Sequence, residues 1–168
     1  MVDRYWAMMT DKHYQLVYLG LHHHLNVEIE RWLDIILAVV STGALGALII
    51  CDDLQIVLTM ILAVAQVITA ARPYLPFRNR MNELDKGISH LSILYYKIES
   101  KWNKIAAGEM NDDEINSWYY DVLKEWNEMD SQILKKDSLP QKKKFIERAK
   151  EENEQYFNVM FGGNANAQ

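Results

Sequence analysis

The amino-acid sequence predicts an all-α protein that combines a transmembrane helical hairpin with a cytoplasmic helical and coiled-coil bundle. Two long apolar stretches follow one another near the start of the chain, and apolar residues at heptad spacing recur after them. No segment of useful length alternates between apolar and polar residues as a β-strand does. We therefore expect an N-terminal cytoplasmic or interfacial helix in residues 1–31, a two-helix membrane hairpin in 32–72, a cytoplasmic bundle in 73–161 and a disordered tail in 162–168.

The segment before the first apolar stretch, residues 11–31, has the spacing of a helix with one apolar face. The run His22–His24 invites a metal-site interpretation, but three consecutive helix positions point about 100° apart and cannot converge on one ion. Only His24 and Glu28 share a face, and two ligands are too few for a zinc site. A metal site is therefore not predicted. The expected apolar face contains Tyr14, Val17, Tyr18, Leu21 and Leu25.

The two apolar stretches predict a pair of membrane helices. The twenty residues from Trp32 to Cys51 contain one charge, Asp34, and the eighteen from Leu54 to Ala71 contain none. At about 1.5 Å per residue, each stretch just crosses a bilayer core of about 30 Å. The alternative, an antiparallel helix pair buried in a soluble domain, is disfavoured because neither stretch has a polar face. Polar and aromatic residues precede the hairpin, so a signal peptide is not expected.

Charge placement predicts the orientation of the hairpin. Its turn contains Asp52 and Asp53, whereas its flanks are basic. Positively charged flanks remain in the cytoplasm, so both termini are expected there and the acidic turn outside. The aromatic residues Trp32, Tyr74 and Phe77 stand at the expected inner boundary, where such rings favour the headgroup region. The basic flanking residues are Arg31, Arg72, Arg78, Arg80 and Lys86.

After the hairpin, Pro73 and Pro76 predict a break, and a heptad stripe then predicts a long helix. The stripe can pack antiparallel against the next cytoplasmic helix as a helical hairpin. Because a stripe of this length needs more cover than one helix gives, we also interpret it as a seam that holds a homo-oligomer together in part. We name the stripe the α3 stripe: Leu84, Ile88, Leu91, Tyr95, Ile98, Trp102 and Ile105.

The remaining cytoplasmic part predicts two further helices. Gly108 is expected to end the long helix, and Asn111 or Asp112 to cap the next one. A third cytoplasmic helix is predicted over roughly residues 141–161, after Pro140. The apolar face of the second helix contains Ile115, Tyr119, Val122, Trp126, Met129 and Ile133.

Charges in this cytoplasmic part are separated into blocks. Residues 109–130 contain eight acids against Lys124, whereas residues 135–150 contain seven bases against Asp137 and Glu147. Such blocks are expected to meet, within one chain or between chains. The basic block also suits an anionic lipid surface, and a merely solvated helix face is the third interpretation.

The sequence lacks the motifs that carry catalysis. It contains no GxSxG, P-loop, HExxH or GxGxxG pattern, and its single cysteine, Cys51, excludes an internal disulfide. We expect no enzyme activity, no cofactor and no direct nucleic-acid binding. The second membrane helix instead carries small and polar residues at spacings of 4, 4, 3 and 4, which we interpret as a candidate pore lining or interhelical contact. This polar stripe contains Gln55, Thr59, Ala63, Gln66 and Ala70.

Several segments together resemble the SLATT family of bacterial two-transmembrane effectors. They are the leader HYQLVYLGLHHHLNVEIERWLD, the small-residue-rich helix LAVVSTGALGALII, the stripe ISHLSILYYKIESKW and the final KKKFIERAKEENEQYF. The resemblance covers residues 10–161 and rests on length and element order. It implies an inner-membrane protein that oligomerises, disrupts or depolarises the membrane, and stops growth of an infected cell. The implied upstream partner is a nucleotide-signalling enzyme or a reverse transcriptase, and no site residues are carried over.

Two other functions fit the same sequence. The hairpin can serve as an anchor for a scaffold whose coiled-coil helices dock a partner protein, or the chain can be an unregulated holin-like toxin. A pure anchor needs no polar residues between its membrane helices. The polar stripe therefore favours assembly within the membrane.

Overall fold

The computed structural model describes residues 1–50, 55–71, 77–133 and 140–162, with side chains omitted at 41–50, 55, 58, 77–80, 83 and 133. Within these ranges the chain is entirely helical and has no strand, which confirms the predicted all-α class. The five helices are α1 (Val2–Ile50), α2 (Gln55–Ala71), α3 (Phe77–Ala106), α4 (Asp112–Ile133) and α5 (Lys143–Met160).

The chain forms two compact units. Unit 1 consists of Met1–His23 and Asn82–Gln168, and unit 2 consists of His24–Met81. The helix α1 is uninterrupted, and its residues 24–31 group with the apolar segment that follows them.

No helix among the described residues is long and apolar enough to cross a membrane. Several sequence predictions lie outside the described residues: the Asp52-Asp53 turn, Cys51, the break at Pro73 and Pro76, and residues 163–168 of the tail.

The core of unit 1 is one apolar cluster to which α1, α3, α4 and α5 all contribute. Burying an aliphatic or aromatic side chain contributes about 1.5–3 kcal/mol, so this cluster is the main source of the unit's stability. Its most completely buried members are Tyr5, Met9, Leu84, Leu91, Leu94, Ile98, Val122 and Trp126.

The predicted α3 stripe lies inside this core. Tyr95 contacts His13 of α1 and Tyr156 of α5, with ring centroids 5.1 and 6.5 Å away. The Tyr5 ring stacks on Trp102 at 6.2 Å. Helices of the same chain cover the stripe, so it is an intrachain packing surface, and the seam between copies stays a prediction. Five of its residues are buried, and Ile88 and Trp102 pack half-buried against the core.

The buried face of α1 differs from the predicted one. The helix begins at Val2, well before residue 11, and Tyr5 and Met9 are fully buried. Lys12 and His22 are buried too, although a hydrophobicity pattern counts both as polar. The Lys12 ammonium lies over the Trp126 ring at 5.1 Å and 3.6 Å from the Asp11 carboxylate, which stabilises this buried cation. The predicted face, Tyr14, Val17, Tyr18, Leu21 and Leu25, is half-buried instead.

The turn between α3 and α4 is as predicted. Gly108 has a φ of 73°, a conformation that favours glycine, and it directly follows the last turn of α3. The Asn111 side-chain oxygen accepts the N–H of Glu114 at 2.9 Å, and the Glu114 carboxylate accepts the N–H of Asn111 at 3.0 Å. This reciprocal pair is a capping box, which fixes the start of α4.

Replacing Asn111 with alanine removes this cap. We expect the Asn111→Ala variant to lose about 0.5–2 kcal/mol of unfolding free energy, measured by urea denaturation. Asn127→Ala, an exposed change in the middle of α4, is the matched control and should change stability little. Equal stability of both variants would show that the capping box does not stabilise unit 1.

The predicted apolar face of α4 is confirmed at Ile115, Val122 and Trp126, which are buried, while the side chain of Ile133 lies outside the described residues. The helix α5 also lies close to its predicted range. Its buried side is short and contains Ala149, Asn153 and Phe157.

The two charge blocks do not pair with each other among the described residues. Glu125 of the acidic block instead lies 3.7 Å from Lys97 of α3. Arg148 of the basic block pairs within α5 with Glu152 at 2.7 Å. Lys135 and Lys136 lie outside the described residues.

Candidate apolar surface and buried polar cluster

Unit 2 exposes large apolar side chains on both of its long helical segments. Trp32 is 63% exposed, Ile56 is 73% exposed and Val67 is 67% exposed. A contiguous apolar surface of this kind marks an interaction site for lipid or protein, because water solvates it poorly. The other large apolar residues exposed in unit 2 are Val27, Ile29, Ile35, Ile36, Val39, Val57, Met60, Ile61, Val64 and Ile68.

Among the unit 2 side chains that the structure describes, those covered in the apolar segments form a narrow stripe on each helix. On α1, Leu33, Leu37 and Val40 are half-buried at spacings of 4 and 3, which places them on one face. On α2, Leu62 is half-buried and Ala65 is buried. Such small and aliphatic residues let two helices approach closely and leave their other faces open.

The polar stripe lies beside the covered face of α2. Thr59, Ala63, Gln66 and Ala70 are exposed, and the side chain of Gln55 lies outside the described residues. Because α2 is helical from residue 55 to 71, these positions share one face. At 3.6 residues per turn this face is about 90° from the covered one. Apolar neighbours such as Ile61 and Ile68 are exposed too, so exposure alone does not single out the stripe.

Unit 1 contains a polar cluster that the sequence did not predict. The His13 Nδ1 lies 2.7 Å from Asn153 Oδ1, and its ring stacks on Tyr156 at 4.1 Å. The Tyr156 hydroxyl donates to Glu99 at 2.6 Å. Burial raises the pKa of Tyr156 to about 12 and lowers the pKa of His13 below its usual value. The cluster therefore joins α1, α3 and α5 through His13, Glu99, Asn153 and Tyr156.

The lowered pKa of His13 predicts pH-dependent stability. The unfolded chain binds the proton more readily, so stability is complete above the unfolded pKa of about 6.5 and decreases as the pH falls below it. We expect the melting temperature of the wild type to fall from about pH 7.5 to about pH 5.5. In the His13→Gln variant this decrease in melting temperature should be smaller. In the His90→Gln variant, which changes an exposed histidine, it should be the same as in the wild type. Identical pH profiles for all three proteins would contradict this role of His13.

The run His22–His24 is divided among three surroundings. The His22 ring is buried between Tyr18 and Phe145, at 4.7 and 4.8 Å. His23 lies 3.9 Å from Asp85, and His24 lies 3.7 Å from Glu28. The three imidazoles therefore have separate partners.

Two further observations bear on the function of the chain: the grouping of possible metal ligands and the comparisons with known proteins. Across the part of the chain that the structure describes, no three His, Cys, Asp or Glu side chains are grouped to hold a metal ion. Comparisons with protein-family models, with curated proteins and with solved structures find no match.

Proposed function

We propose that the chain is a membrane effector. Unit 2 inserts into the bacterial inner membrane as a hairpin, copies associate, and the assembly depolarises the membrane upon activation by a nucleotide-linked anti-phage sensor. The observation that carries this proposal is the exposed apolar surface of unit 2. Large apolar side chains are exposed along one broad side of α2, and a lipid environment removes this surface from water.

The length of α2 is compatible with insertion. Its 17 residues extend about 25 Å, a few ångströms less than the bilayer core of about 30 Å. A bilayer accommodates a short helix by local thinning, at a cost of fractions of a kcal/mol per ångström. In the sequence of α1, the residues from Leu33 to Ile50 contain one charge, Asp34, which supports a membrane partner for α2.

The polar stripe supports a pore rather than an anchor. Gln66 and Thr59 are costly against hydrocarbon but tolerable against another helix or water. Because they lie beside the face that α2 buries in unit 2, a neighbouring copy can cover them without displacing this packing. Separation of the copies then opens a polar path for ions. Two parts of the proposal come from the resemblance to the SLATT effectors: activation by an upstream signal and growth arrest of the infected cell.

The test is the membrane potential of bacteria that produce the full chain, followed with a potential-sensitive dye. We expect depolarisation upon overproduction or upon co-production of the activating sensor. If the membrane potential stays unchanged under every trigger while the membrane fraction contains the protein, the anchored scaffold is supported instead. Depolarisation without any sensor at low protein levels would favour the unregulated toxin.

A further inference from the structure

We propose that the lysines at the start of α5 form a docking surface for anionic phospholipid headgroups. This inference rests on the proposed membrane function and names the surface by which unit 1 contacts the bilayer. The surface, which we call the lysine patch, consists of Lys142, Lys143 and Lys144.

The lysine patch is exposed and carries uncompensated charge. All three side chains are exposed, and none makes an ion pair with another described residue. The Lys142 ammonium lies over the Phe145 ring at 5.3 Å, which holds that charge at the surface of unit 1. Arg148, one turn further along, is already paired with Glu152 and adds little free charge.

Contacts of unit 1 fix the position of the patch along α1. Phe145 packs edge-on against His22 at 4.8 Å, and the Tyr18 hydroxyl donates to the Pro140 carbonyl at 3.3 Å. The patch therefore adjoins the last residues that α1 contributes to unit 1, which end at His23. In the sequence, the predicted membrane segment begins soon afterwards, at Trp32.

Lipid headgroups fit this surface better than the acidic block does. Basic residues next to a membrane segment bind anionic lipids, and this attraction extends over about one Debye length, roughly 8 Å at physiological salt. Glu125 of the acidic block already has Lys97 as a partner. Three adjacent ammonium groups on flexible stems also suit mobile headgroups more than a fixed array of carboxylates.

The experiment is amine labelling of the full chain reconstituted in two kinds of bilayer. One contains phosphatidylcholine alone, and the other contains phosphatidylcholine with phosphatidylglycerol. A water-soluble amine-reactive ester is applied, and the labelling rate of each lysine is measured by mass spectrometry. We expect several-fold slower labelling of the lysine patch in the anionic bilayer, with the difference lost at high salt. Exposed lysines elsewhere in unit 1 are internal controls and should label equally in both: Lys104 and Lys124.

Two labelling outcomes would overturn the proposal. Fast labelling of the patch in both bilayers would mean that it is solvated. Slow labelling in both would identify a protein partner, such as the acidic block of a second copy. Alkaline carbonate extraction of the same samples reports separately whether the hairpin is integrated. If it is not integrated, protection that still depends on phosphatidylglycerol supports the lysine patch while the proposed insertion fails.

Discussion

Replacing Leu91 with alanine is expected to destabilise unit 1 by about 2–5 kcal/mol, because it removes a buried side chain and leaves a cavity in the core. Leu91 is 0% exposed and lies on the α3 stripe, which helices of the same chain cover. The loss of unfolding free energy should not depend on protein concentration, since Leu91 is fully buried within its own chain. Urea denaturation of the detergent-solubilised chain at several concentrations measures both quantities.

The control for this change is Ile93→Ala on the same helix. Ile93 is 55% exposed, so its truncation should change the unfolding free energy by less than about 0.5 kcal/mol. If Leu91→Ala instead dissociates an assembly, and its stability returns at high protein concentration, the α3 stripe is a seam between copies after all.

Leucine at both Thr59 and Gln66 is expected to abolish depolarisation. Both positions are exposed on the polar stripe of α2, and leucine there removes the groups that would face water in an open pore. Insertion should persist or improve, because leucine is favoured in a membrane helix whereas glutamine is not. The measurement is the dye response of cells that produce equal amounts of the variant and the wild type in their membranes.

The matched control places the same two leucines on the opposite face of α2. Ile61 and Ile68 lie about 180° from the polar stripe at 3.6 residues per turn, and both are exposed apolar residues. Ile61→Leu with Ile68→Leu should depolarise like the wild type. A Thr59→Leu and Gln66→Leu variant that inserts and still collapses the potential would exclude the stripe as the ion path.

The sequence predicted the bundle helices well because their signals are local. Heptad spacing identified the buried faces of α3 and α4, and Gly108 with Asn111 identified the turn between them. Heptad spacing shows which face of a helix is buried, but it does not show which helix covers that face. For this reason the sequence alone also allowed the α3 stripe to be interpreted as a contact between copies of the chain. Tyr5 and Met9 were missed because α1 continues their face through Lys12, which a hydrophobicity pattern reads as solvent-facing.

The His13 cluster had no signal in the sequence. His13 and Asn153 are 140 residues apart and each is a single polar residue, so neither forms a local motif. In the structure, Asn153 is buried on the apolar side of α5, between Ala149 and Phe157. A buried amide needs a hydrogen-bond partner, and its burial is what points to this need. The exposed apolar surface of unit 2, in contrast, follows directly from the two apolar stretches, which contain a single charge, Asp34.

Cysteine accessibility tests the central claim, insertion of unit 2 as a hairpin, most directly. Cys51 is the only cysteine, so Cys51→Ser gives a background in which Asp53→Cys or Gln168→Cys is the single thiol. A membrane-impermeant maleimide is applied to spheroplasts before and after permeabilisation. The account predicts that the thiol at position 53 labels in intact spheroplasts, whereas the thiol at position 168 labels only after permeabilisation. Labelling of both thiols only after permeabilisation, with the protein recovered in the soluble fraction, would contradict it.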